Sequence, residues 1–101
     1  MNVDETRRQM MDVVENTKAA ILVACDSELS SIVLEDCRKE IERLRKVFKR
    51  RIDERSKHTR NRRAFPINAR AGIELKLEET TRQALDLVNA MSKTIDQQSS
   101  D

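Results

Sequence analysis

Residues 64–72 read AFPINARAG, and they hold both the only proline of the chain, Pro66, and its only glycine, Gly72. Glycine and proline are the strongest local breakers of regular structure. Neither occurs elsewhere in the 101 residues, so this window separates two long helix-permissive stretches. Pro66 disfavours helix at Phe65, and Asn68 is suited to cap the next helix. The window therefore predicts a corner at 64–72 with rods on either side.

The rods carry helical periodicity. Met10, Val14, Thr17, Ile21 and Cys25 recur at spacings of three and four, and Asp4 and Glu5 suit the first turn of a helix. Cys37, Ile41, Leu44, Phe48 and Ile52 form a second stripe. On one straight helix Ile32 falls in line with the first stripe, and the second is rotated from it by roughly 140°. The phase jump allows two readings. Either the chain breaks near DSELSS (26–31), where cap-favouring residues cluster, or one helix of up to ~55 residues, ~80 Å long, turns different faces to different neighbours.

Beyond the corner, Ile73, Leu77, Thr80, Ala84, Leu87, Val88, Met91 and Ile95 lie on one face, giving about three heptads of seam. Residues 73–77 (IELKL) alternate like a strand, but no second alternating run exists to pair with them. Pairs such as Glu35–Lys39, Glu42–Lys46, Asp53–Lys57 and Glu78–Arg82 stand at the i,i+4 spacing that supports helix. The expected fold is all-α: an elongated antiparallel helical hairpin or three-helix bundle with coiled-coil character, completed by a partner chain. It is one domain over 1–97, with helices at about 4–25, 28–60 and 73–97 and a disordered tail at 98–101.

Charge is segregated along the chain. Residues 1–42 hold five basic and ten acidic side chains, a balance of −5. Residues 43–70 hold twelve basic and two acidic, or +10, and residues 71–101 hold three and six, or −3. Antiparallel folding would set Glu74, Glu78, Glu79 and Asp86 beside the basic middle. The same middle could instead meet an anionic partner through Lys49, Arg50, Arg51, Arg55, Arg60, Arg62 and Arg63. Its KRRIDERSKHTRNRR run loosely resembles a two-part nuclear import signal. Base stacking has little support, because apart from Phe48 on the apolar stripe there is no aromatic interleaving beyond Phe65.

Catalytic chemistry finds no purchase. His58 is the only histidine and stands in DERSKHTRNRR (53–63), which has no apolar residue to order it. The two cysteines, Cys25 and Cys37, are twelve residues apart and read as buried reduced thiols rather than metal ligands or a disulfide framework. A single glycine cannot build a phosphate-cradling loop. Adjacent carboxylates such as Glu78 and Glu79 diverge by about 100° on a helix. No catalytic residue, metal, cofactor or small-molecule substrate is expected.

The informative surplus is apolar. Residues 19–25 (AAILVAC) wrap the whole circumference of a helix, and Ile32, Val33 and Leu34 repeat the pattern. A helix in a hairpin buries one stripe and not every side. This predicts a non-enzymatic assembly subunit whose homo- or hetero-oligomeric partner covers Ile21, Leu22, Val23, Leu29, Ile32 and Leu34, with a second seam at Leu77, Leu87, Met91 and Ile95. The alternative function is nucleic-acid binding through residues 43–63. The seven-residue apolar run is far short of the ~20 residues that span a bilayer, and the acidic first turn is unlike a signal peptide. An intracellular protein, cytoplasmic or nuclear, is the expectation.

Overall fold

The computed structural model describes residues 2–24, 26–58 and 67–99. They form three α-helices: α1 (Asp4–Val23), α2 (Ser27–His58) and α3 (Ile67–Ser99). All three pairs of helices are in contact, and the molecule is a rod of 60 × 17 × 15 Å. The all-α three-helix bundle is therefore the architecture, with no strand among the described residues. Residues 73–77 lie within α3 despite their alternation.

The first two helices are separate, which resolves the phase jump between their stripes. Ala24 leaves helical geometry for extended backbone (φ −77°, ψ 105°), and its N–H still donates to the Ala20 carbonyl at 2.9 Å. Asp26 then caps α2: its Oδ1 accepts from the Glu28 N–H at 3.0 Å, and its carbonyl accepts from Ser30 N–H at 3.1 Å. A short polar side chain that satisfies an orphan first-turn donor is what a helix start requires. Once the helix breaks here, Ile32 no longer continues the α1 stripe. It sits about 140° from Cys37 on α2 and is 58% exposed.

Cross-helix pairs set the register of α2 against α3. Arg70 bonds Asp53, Arg45 bonds Glu78, and Arg38 bonds Asn89. Each step back along α2 is a step forward along α3, so the two run antiparallel. α1 begins beside the middle of α3, where Val3, Asp4 and Arg7 face Lys76, Glu79, Thr80 and Gln83 across a small cleft. It runs from there toward the α1–α2 turn. The turn half of the rod is thus three helices thick, and the basic half is built mainly from α2 and α3.

One apolar cluster holds the bundle together. Met10, Ile41, Ile52, Ala84 and Val88 have no exposed surface, and Val14, Leu34, Cys37, Phe48 and Leu77 are nearly as enclosed. Burying each large side chain is worth roughly 1.5–3 kcal/mol. Thr6, Thr17, Ser30, Thr80 and Thr81 are also buried. Thr81 satisfies its hydroxyl by donating to the Leu77 carbonyl at 2.8 Å, and Ser30 does the same to Asp26 at 3.0 Å. No buried side-chain polar atom among the described residues lacks a partner.

The corner differs from its sequence reading. α3 starts at Ile67, six residues before the expected boundary, so Gly72 is a helix-interior residue with negative φ. One glycine costs a helix only about 1 kcal/mol, and Arg70 ties this first part of α3 to Glu74 and to Asp53 of α2. The helix also continues through Ser99, past the expected end at 97. Cys25, Phe65, Pro66 and the last two residues lie outside the described residues.

Candidate interaction site

The surplus apolar side chains gather at the α1–α2 turn. Leu22 and Val23, in the last turn of α1, are each 81% exposed. Leu29 and Ile32, in the first turns of α2, are 52% and 58% exposed. Ile21 is half-buried and packs against the core from the same end. The antiparallel register extends the site to α3: continuing from Arg38–Asn89 carries Met91 to the level of Asp36 and Ile95 to that of Ile32. Both are half-buried against the core. Two seams that are far apart in sequence therefore meet at one end of the rod.

Two expected seam residues do not belong to it. Leu34 is 3% exposed and Leu77 is 1% exposed, so both are enclosed by their own chain and cannot meet a partner. Leu34 lies about 60° from Cys37 around α2, close enough to the inward face to be covered by α1 and α3. Leu87 is 46% exposed on the edge of the α3 stripe, with Leu85 on the opposite edge half-buried. Leu75, 61% exposed, is absent from the seams expected of the sequence. Its offset of about 160° from Leu77 is the sequence signal that marks it as outward-facing.

Between α1 and α2 runs an open groove of about 380 Å³, lined by Val13, Thr17, Ala20, Val33 and Cys37 along its floor, with Asn16, Asp36 and Glu40 as its polar members. Leu29 stands one turn before Val33 and projects on the groove side of α2, and Ile32, one turn before Asp36, stands at the rim. Sequence reasoning missed Val13, Val33, Asp36 and Glu40, because a groove between helices depends on how they are rotated against each other. Glu40 is bound by Arg43, whose Nε donates at 3.0 Å, and this holds the carboxyl below its ordinary range. From residue 19 to residue 37 the chain has four acidic side chains (Asp26, Glu28, Glu35 and Asp36) and no basic one.

The basic segment lies toward the other end. Lys49, Arg50, Arg51 and Arg55 are exposed, while Arg60, Arg62 and Arg63 lie outside the described residues. Part of the positive charge is paired within the chain. Arg43 bonds Glu40, Arg45 bonds Glu42 at 3.2 Å and Glu78 at 2.9 Å, and Arg70 bonds Glu74 at 3.0 Å as well as Asp53. The flanking carboxylates raise the pKa of all three guanidinium groups above the ordinary arginine value. Glu35 and Glu42 take arginines three residues on, Arg38 and Arg45, in place of the lysines at the i,i+4 spacing.

No group of His, Cys, Asp and Glu among the described residues is arranged to hold a metal ion, and no described helix is long and apolar enough to cross a membrane. Cys37 is a buried free thiol. The chain matches no protein-family model, no curated protein and no solved structure.

Proposed function

We propose that this protein is a non-enzymatic assembly subunit, joined to a protein partner through the apolar end of its bundle. The observation that carries the reading is the clustering of exposed Leu22, Val23, Leu29 and Ile32 at one turn, whereas the exposed Leu75 and Leu87 stand apart on α3. Fully covering four such side chains is worth about 6–12 kcal/mol as an upper bound. Association costs about 4–15 kcal/mol. The four residues alone would barely bind, so a stable complex needs the neighbouring groove floor as well.

The test is the size of the tagged chain in an extract of its native source, compared with a Leu29→Gln/Ile32→Gln variant. Gln is a good helix former and neutral, so folding and charge are kept. The expected result is migration well above the 11.7 kDa chain, lost in the variant, while both purified proteins melt alike. Migration of the unaltered protein as a free monomer would refute the reading.

A second reading, nucleic-acid binding through residues 43–63, is supported by the exposure of Lys49, Arg50, Arg51 and Arg55. It is the weaker one, because Arg43 and Arg45 already have carboxylate partners inside the chain. It requires binding to duplex or single strands that falls steeply with salt. Absence of binding at low salt would end it.

A further inference from the structure

We infer that the α1–α2 groove receives an amphipathic helix of another protein, with an aliphatic stripe flanked by lysine or arginine. This deepens the assembly reading and rests on it. The groove offers an apolar floor of Val13, Ala20, Val33 and Cys37, with Leu29 one turn beyond Val33 toward the turn and Ile32 at the rim on the Asp36 side. Such a surface matches side chains at i, i+3, i+4 and i+7 of an incoming helix. A fourth helix laid there would convert the three-helix half of the rod into a four-helix bundle.

Charge selects the occupant. Asp36 borders the floor and Glu40 beside it is already paired with Arg43, while no basic residue stands between Lys18 and Arg38. An incoming helix with acidic edges would face these carboxylates across a partly desolvated contact, whereas lysine and arginine edges would complement them.

A second copy of this chain fits poorly. Symmetric pairing would bring the Asp36 carboxylates of the two acid-bordered grooves into one contact with no basic groove residue to offset them, since a two-fold contact uses the same patch twice. Head-to-tail pairing would bring the basic half of α2 to the groove. Of the apolar residues of that half, Phe48 and Ile52 are buried at 4% and 0% exposure, and Leu44 and Val47 are half-buried. That half can supply positive edges but no aliphatic stripe. On α3, Leu75 and Leu87 are exposed but about 120° apart around the helix, so they do not form a stripe either.

The experiment uses two synthetic helical peptides of about 20 residues, ~30 Å long and so able to span α1. Both carry the same leucine stripe, one with lysine on its edges and the other with glutamate. Binding to the full chain is followed by fluorescence anisotropy. The lysine-edged peptide is expected to bind at least about tenfold more tightly at low salt, with the gap narrowing as salt is added. Leu29→Gln/Ile32→Gln should weaken both peptides, and Asp36→Lys should shrink the gap between them.

Equal binding of the two, preference for the glutamate-edged peptide, or binding of neither overturns the inference. So does sedimentation showing a dimer of the unaltered chain that Leu29→Gln/Ile32→Gln dissolves, because the occupant is then a second copy. A native complex that depends on Leu29 and Ile32 without any peptide preference would leave the assembly reading standing and remove only the basic-helix occupant. Preferred binding of the lysine-edged peptide by a chain that is monomeric in its native extract would do the reverse.

Discussion

Arg45 of α2 donates from Nη1 to Glu78 Oε1 of α3 at 2.9 Å, while its Nε is held by Glu42 of its own helix at 3.2 Å. Glu42 pre-sets the guanidinium, so the bond to Glu78 orders less freely moving chain than a lone surface pair would. The Arg45 side chain is 24% exposed, which shelters it in part from solvent screening. Replacing Arg45 with Ala should cost about 0.2–1 kcal/mol in urea unfolding. Arg45→Glu should cost more, because it also faces Glu42. Adding Glu78→Arg to it should recover only part of the loss, and full recovery would show that Glu42 contributes nothing.

Gly72→Ala should stabilise the protein. The residue is inside α3 with negative φ, and an added Cβ meets nothing within 4 Å. The gain should be about 0.5–1 kcal/mol, since alanine is the better helix former. Thermal melting of the variant checks it. A lowered midpoint would mean that the glycine serves a purpose other than flexibility.

Core and surface isoleucines on the same helix should separate cleanly. Ile41 is fully enclosed and Ile32 is 58% exposed. Ile41→Ala should cost about 2–5 kcal/mol. Ile32→Ala should stay within about 0.5 kcal/mol in the isolated chain, with its effect appearing only when a partner is present. Denaturant midpoints of the two variants decide this.

Asp26→Ala removes the oxygen that satisfies Glu28 N–H at 3.0 Å. It should cost about 1 kcal/mol, and Asp26→Asn, which keeps an acceptor, should cost much less. Amide hydrogen exchange in the first turn of α2 should rise in the alanine variant and stay low in the asparagine one.

Acid should loosen the Glu40–Arg43 pair. The guanidinium holds the Glu40 carboxyl below its usual value of 4.5. Its contribution is therefore fully present above pH 4.5 and is lost as pH falls through the lowered folded value. The contribution is small because both side chains are well exposed. The check is a series of melts from about pH 6 to about pH 3, expected to decline less steeply in Glu40→Gln than in the unaltered protein.

The all-α class, the inward stripes and the segregation of charge were legible in the residues themselves. Met10 and Val14 on α1, Cys37, Ile41, Phe48 and Ile52 on α2, and Leu77, Ala84 and Val88 on α3 all face inward as their spacing required. Local periodicity records which side of a helix is apolar, so it survives in sequence. The break at residues 24–26 was visible only as one of two readings, because cap-favouring residues occur in helices too.

Which apolar residues remained for a partner was decided by the packing. Leu34 looked as available as Ile32, yet the rotation of α2 enclosed the first and turned the second outward. The register of Arg70–Asp53, Arg45–Glu78 and Arg38–Asn89 brought Met91 and Ile95 to the end where Leu29 and Ile32 stand. Gly72 lies inside α3, with Arg70 pairing to Asp53 of α2 on its N-terminal side. Helix existence is a property of neighbouring residues and can be read along the chain. Rotation, register and grooves arise from contacts between residues tens of positions apart, and those exist only once the helices have packed.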